Sequence, residues 1–188
     1  MRVFDKDSPS GEIILQWWND LQRNNGNRAN LRRCNTPTET VFLPVSQILI
    51  SKLRISDDIQ FKLSSDRICA IAGILSHVKE NIPINFARQL SQKKSGSDQA
   101  LVSDIRFRRI LQYSSISEDE LFYQKIIRVI HHVDRKVNIF DIFYSLYFWG
   151  LGDKVKKQWA YDYYGTTNPS ENNNDDLENT IALGANNE

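Results

Sequence analysis

Cysteine is scarce: Cys34 and Cys69 are the two thiols in 188 residues. Two cannot build a disulfide scaffold, and alone they cannot fill a structural zinc site, so free thiols in a reducing compartment are expected. Long apolar runs are missing as well. No window approaches the roughly eighteen consecutive apolar residues of a membrane span, and Met1-Arg2-Val3-Phe4-Asp5-Lys6-Asp7 lacks the apolar stretch of a secretory leader. The expected class is a soluble cytoplasmic protein with no membrane partner. An excess of one sign of charge is also missing, because 24 Lys and Arg face 23 Asp and Glu for a net charge of +1. Averaged over the whole chain, that balance argues against a nucleic-acid binder.

The patterns of the common catalytic and metal sites are absent too. The eight glycines form no phosphate-cradling loop, and neither Cys-x-x-Cys nor His-Glu-x-x-His occurs. His131 and His132 are adjacent, so on a helix their side chains diverge by about 100° and cannot chelate one metal together. Asp57-Asp58 and Asp175-Asp176 are paired in sequence, but in turn-like or strongly polar contexts. Cys34 follows arginines that would lower its pKa, yet no second motif supports a reactive thiol. Neither an enzyme nor a cofactor is expected.

What the chain does have is apolar residues at helical spacing. Hydrophobic residues make up 40% of it, enough for a core. Ile13, Ile14, Trp17, Trp18 and Leu21 mark a helix over 12–23. Thr36-Pro37-Thr38-Glu39 is a capping box with proline in the first turn, and Pro44 should break that helix before 45–53 resumes it. Ser65 is placed to cap the apolar run 68–78, and 86–92 reads as a short helix. Ser103 should cap a helix to residue 111, and Ser117 to Glu120 reads as a second capping box. Asn138 precedes the nearly all-apolar 139–149, which Gly150 and Gly152 stop before a last helix ending at Tyr164. Strand-like alternation is scarce. The expected fold is all-α, a compact bundle of roughly seven to nine helices. Residues 1–164 form the helical domain, divisible into lobes over about 11–95 and 99–164, and 165–188 read as a disordered acidic tail.

Charge is distributed unevenly along this frame. Residues 165–188 hold five acids and no base, so residues 1–164 carry 24 bases and 18 acids, a net +6. Arg28, Arg32 and Arg33 lie within six residues, with Arg28 and Arg32 on one face if the segment is helical. Arg106, Arg108 and Arg109 surround Phe107, and Lys125, Arg128, His132 and Arg135 are spaced as a stripe opposite an apolar face. Lys79, Arg88, Lys93 and Lys94 sit between these clusters, with Glu80 nearby. A solvated helix surface is the plain reading of any one stripe; several together point to a groove that tracks phosphates without reading bases. The dense C-terminal aromatics, from Phe140 to Tyr164, read as core, with Tyr161 and Tyr163 expected to be the exposed ones.

The order of these segments resembles a known family. A Trp-containing first helix is followed by Arg28-Ala29-Asn30-Leu31-Arg32-Arg33, Phe86-Ala87-Arg88-Gln89-Leu90 and Arg106-Phe107-Arg108-Arg109-Ile110-Leu111-Gln112. Then come Val137-Asn138-Ile139-Phe140-Asp141, Phe148-Trp149-Gly150 and Trp159-Ala160-Tyr161-Asp162-Tyr163-Tyr164. Over residues 11–164 this is similar to the CasB family, the small subunit of the type I-E CRISPR surveillance complex, Cascade. The resemblance rests on order, spacing and length rather than on one diagnostic motif. It implies an all-helical, two-lobed, non-catalytic protein, two copies of which lie head to tail beside the crRNA-bearing backbone subunits and the large subunit. It also implies a basic surface that holds the target and displaced DNA strands of the R-loop. Carried over by position, the nucleic-acid-binding residues are Arg32, Arg33, Lys79, Arg88, Arg106, Arg108, Arg109, Lys125 and Arg128, and Arg28 joins them from the basic cluster it shares with Arg32 and Arg33. Where some members have arginines after Trp-Gly, this chain has Leu151-Gly152-Asp153-Lys154, leaving Lys154, Lys156 and Lys157 to supply charge there. The alternative is a helical adaptor whose arginines meet only acidic protein partners.

Overall fold

The computed structural model describes residues 2–93, 96 and 98–165. Lys94 and, apart from Gly165, the expected acidic tail lie outside them. Within the described residues the chain is helical almost throughout: α1 (Pro9–Arg23), α2 (Asn25–Arg33), α3 (Pro37–Val41), α4 (Pro44–Leu53), α5 (Ser65–Leu75), α6 (Phe86–Ser91), α7 (Asp104–Leu111), α8 (Glu120–His132), α9 (Ile139–Phe148) and α10 (Lys154–Tyr164). The all-α expectation holds, with more helices than anticipated because the arginine-bearing segment after α1, helical only conditionally in the sequence reading, forms α2. Two short strands, β1 (Glu80–Asn81) and β2 (Lys136–Val137), pair in parallel with Glu80 opposite Lys136.

Helix ends follow local chemistry. Thr36 Oγ1 accepts from Glu39 N–H while the Glu39 carboxylate accepts from Asn35 N–H, the reciprocal bonding of a capping box. Pro44 then separates α3 from α4, since proline has no N–H to continue the ladder. Asn138 caps α9 by accepting from the N–H groups of Phe140 and Asp141. Two caps differ from expectation by position. Ser64 rather than Ser65 caps α5, and Asp119 rather than Ser117 caps α8 by accepting from Phe122 N–H. In both places neighbouring residues had equivalent capping chemistry, and the tertiary position of the helix chose between them.

The core is organised around α5. Every residue from Arg67 to Leu75 is buried, and the helix packs against α2, α3, α4, α8 and α9. Its small residues Cys69, Ala70, Ala72 and Gly73 let those neighbours approach closely. At Gly73 an added Cβ would stand 2.3 Å from the Tyr123 hydroxyl and 2.7 Å from Thr40 Cγ2. A helix buried on all sides has no water to satisfy its surroundings, so polar groups near it need partners within the protein. Arg67 is such a partner: its Nη1 donates to the carbonyls of Tyr147 and Trp149, both at 2.7 Å, at the end of α9. The Tyr147 hydroxyl in turn accepts from Ser64 N–H. Phe4, Phe61, Tyr147 and Phe148 form an aromatic cluster beside this junction.

Beyond α9, Gly150 has a φ of 78° and its Cα faces the Ser114 carbonyl so closely that a Cβ would lie 1.9 Å from the oxygen. That turn brings α10 back onto α6, where Phe86 meets Trp159 edge to face. Tyr163 is buried here, contrary to the expectation of exposure. Its ring stacks on Phe107 at 3.9 Å and its hydroxyl donates to Val102 O, while Tyr164 is the one exposed. Cys34 and Cys69 are free and buried. Burial and then Glu39 raise the Cys34 thiol pKa, so the arginines just before it do not activate it.

Three substitutions test this account of α5. Gly73→Ala is expected to destabilise by about 2 kcal/mol, since overpacking against a fully buried Tyr123 outweighs the roughly 1 kcal/mol gain in helix propensity. Tyr123→Phe in that background should recover part of the loss by removing the nearest atom. Arg67→Met should cost about 3 kcal/mol, because two buried carbonyls lose a charged donor. Urea unfolding midpoints measure all three.

Candidate nucleic-acid interface

The basic residues anticipated from the sequence fall into three places. The first lies where the ends of α2, α5 and α8 meet. Arg28 donates from Nε to Ser76 O at 3.1 Å and from Nη2 to Val78 O at 2.8 Å, and Arg32 donates from Nε to Ser76 O at 2.8 Å. These carbonyls belong to the chain leaving α5, where a helix C-terminus gathers unpaired acceptors and partial negative charge. Arg28 and Arg32 are therefore half-buried and bonded to backbone, in addition to any role toward a ligand. Arg32 Nη2 is buried without a partner.

Opposite them, on α8, Arg128 Nη2 donates to the Gln124 side chain at 3.0 Å, and Gln124 Nε2 donates to Asn35 O just beyond α2 at 3.3 Å. This chain sets Arg128 beside the end of the helix that carries Arg33. Lys125 lies one turn before Arg128 on the same face. The strand pair completes the junction: Lys79 N–H donates to Arg135 O at 2.8 Å, tying the segment after α5 to the segment after α8. Arg33, Lys79, Lys125 and Arg128 make no ion pair among the described residues.

The expected stripe on α8 does not run on to Arg135. The helix ends at His132, and Asp134 and Arg135 take left-handed backbone angles, with φ of 56° and 62°. Arg135 N–H closes onto Ile130 O at 2.9 Å, the bond of a helix-terminating turn. The turn places Arg135 among Arg28, Arg32 and His131 instead of on the helix surface, so a purely helical projection misassigned it. His77 and His131 were not anticipated as site residues; fifty-four positions apart, they meet with His77 Nδ1 and His131 Nε2 3.0 Å apart. No local pattern signals that pairing. Burial, then the charges of His131, Arg32, Arg135 and Arg28, depress the His77 pKa to about 3. Burial, then Arg135 and Arg32, depress that of His131.

The second place is α7, where Arg106, Arg108 and Arg109 are exposed around the buried Phe107. Arg108 is paired with Asp104 across one turn at 2.6 Å, and Asp104 also accepts from the Tyr164 hydroxyl. Arg106 and Arg109 make no ion pair among the described residues. The third place is α6, where Arg88 lies 3.9 Å from the buried Asp162 of α10. No hydrogen bond or ion pair among the described residues joins Arg88 or the α7 arginines to the first cluster. Lys93 is paired with Asp98 at 2.7 Å. Among the described residues no group of His, Cys, Asp and Glu is arranged to hold a metal ion, and no helix is long and apolar enough to cross a membrane.

Residues 27–164 match the family model described as CRISPR-associated protein Cse2. No curated protein and no solved structure matches the chain.

The buried histidine gives the fold a signature in acid. An unfolded histidine takes a proton near pH 6.5, whereas folded His77 resists until about pH 3. Between these values the unfolded chain binds more protons, so stability is expected to fall as pH drops from about 6.5 toward 4. His77→Gln should flatten that part of the profile, measured as urea midpoint against pH in the variant and the parent.

Proposed function

The chain belongs to the Cse2 family, the CasB small subunits of type I-E Cascade, and from that premise we propose that it is a non-catalytic subunit that holds nucleic-acid backbone. As a Cse2 protein it is a component of a CRISPR Cascade complex. In the proposed role its basic residues bind phosphates of the target and displaced strands and so stabilise the crRNA–target R-loop in the cytoplasm. Base pairing reads the sequence, and the protein contributes charge and shape. Its partners are the backbone and large subunits and a second copy of itself.

The observation that carries this reading is the set of exposed or half-buried cations left without acidic partners. Arg33, Lys79, Arg106, Arg109, Lys125 and Arg128 make no ion pair among the described residues, and α2 holds no acid at all while α7 and α8 each hold one. Self-pairing of surface charge is worth little, so such residues are free to meet an external polyanion. Arg88 and Arg108, held by Asp162 and Asp104, are proposed as weaker contributors. Arg28 and Arg32 contribute field from behind while their bonded nitrogens hold the end of α5.

The subunit contacts have a different chemistry. Phe42, Ile55, Leu121 and Ile105 are exposed, and Phe42 borders a surface hollow with Pro37, Thr38, Val41, Asp66 and Ser117. Such apolar positions suit protein neighbours rather than phosphates.

The proposed role is checked by salt dependence. The logarithm of affinity for single-stranded DNA against the logarithm of salt should fall with a slope of roughly −0.7 for each phosphate contacted. A flat plot would sink the backbone-binding role. Arg33→Glu with Arg128→Glu should weaken R-loop retention by assembled Cascade at least about tenfold while assembly persists. Loss of assembly with unchanged DNA affinity would instead favour the adaptor.

A further inference from the structure

We propose that the junction of α2, the end of α5 and the end of α8 is a proton-linked phosphate site, with Arg32, Arg135 and His131 receiving one phosphodiester and His77 backing His131. The inference rests on the backbone-binding role above and adds residues and a regulation that the role by itself does not require.

The junction gathers five basic groups. Arg28 and Arg32 reach the Ser76 carbonyl, His77 is the next residue, His131 touches His77, and the turn after α8 brings Arg135 against all of them. None of the five makes an ion pair among the described residues. The acids closest in the chain make no ion pair with them: Glu80 is committed to Lys136 at 2.7 Å, and Asp134 is exposed. The titratable groups that bear on His77 from the packed elements are all basic, Arg28 and Arg32 from α2 and His131 and Arg135 from the α8 end. Like charges held together in a partly buried place lack a compensating anion.

Two atoms show the same deficit. Arg32 Nη2 and His77 Nε2 are both buried and neither has a hydrogen-bond partner, and His77 as a residue is 7% exposed. Buried polar atoms are almost always satisfied, and two unpartnered ones beside a cluster of cations are what a bound anion would account for. His131 is exposed and Arg135 half-exposed, so these two residues of the junction reach solvent. Arg33, Lys79 and Arg128, on the same three segments, extend positive charge away from the junction. That continuity suits one phosphate of a longer backbone better than an isolated carboxylate.

The histidine pair links this site to protons. With both rings neutral, one N–H lies between His77 Nδ1 and His131 Nε2. One further proton would give the pair a positive charge and make a donor of the remaining unprotonated ring nitrogen, so that both nitrogens outside the shared bond donate. The surrounding cations oppose that proton while the site is empty. A phosphodiester brings a negative charge that offsets them, so anion binding and proton uptake favour each other. The sign follows: affinity rises as pH falls, within the range where the folded protein persists.

The test uses the full-length chain and an oligothymidylate at constant ionic strength between pH 8 and pH 6. Affinity is expected to rise several-fold, with a limit of about tenfold per pH unit if one whole proton is taken up. His131→Gln and Arg135→Gln should each flatten the pH profile, and His132→Gln, whose ring faces the Leu101 carbonyl, should leave it intact. Imidazole NMR on the unmodified chain reads the same event without a variant: the His131 titration should move upward when the oligonucleotide is added. A pH-independent affinity, or an unmoved His131 titration, overturns the proton-linked site while leaving salt-dependent DNA binding in place. Absence of any salt-dependent binding would instead remove the role on which it rests. Polyglutamate, run in parallel, distinguishes the anion: if it shifts His131 and the oligonucleotide does not, the phosphate assignment is overturned in favour of a protein carboxylate.

Discussion

Burial of α5 from Arg67 to Leu75 is the constraint on which the rest of the structure depends. A helix enclosed by five others contributes a large apolar surface to the core, and its carbonyl-rich exit is then sealed from bulk water. The protein meets that need with arginine. Arg28 and Arg32 come from α2 to bond the carbonyls of Ser76 and Val78, and Arg67 from α5 itself bonds the last carbonyls of α9. A planar guanidinium suits this task because several donors lie on one rigid fork and its charge matches the negative end of a helix.

The same solution shapes the electrostatics of the surface. Once arginines are drawn in to close the end of α5, they bring charge to the point where α2 and α8 also end. The turn at Asp134 and Arg135 adds another cation, and the β1–β2 pair keeps that turn against the α5 exit. Fold stability and the proposed anion affinity thus share residues, and burial, with the surrounding basic groups after it, disfavours the charged form of both histidines. Membership in the Cse2 family gives that field a setting, a CRISPR Cascade complex.

Much of this was legible residue by residue. The capping box at Thr36, the break at Pro44, the cap at Asn138 and the glycine stop after α9 are local signals, and each helix they bound is present. The arginine clusters on α2 and α7 were equally visible as sequence. Less legible was which arginines are free. Arg108 and Asp104 are one turn apart, so their pairing follows helical spacing, whereas Arg88 and Asp162 lie on different helices and meet only through the packing of α6 on α10. Tyr163 was misjudged for the same reason, since its stacking partner Phe107 is distant in the chain.

The sequence by itself determined the all-helical class, most helix ends, the uneven distribution of charge hidden beneath a net of +1, and the order of segments that resembles the Cse2 family. These depend on periodicity, capping chemistry and composition, which act over a few residues or over the whole chain. Only the tertiary structure decided that Arg28 and Arg32 hold the end of α5, that Arg135 leaves the α8 stripe, and that His77 faces His131. Those outcomes depend on which distant groups burial forces together. Desolvation makes each buried polar atom find a partner, and no local pattern names the partner in advance.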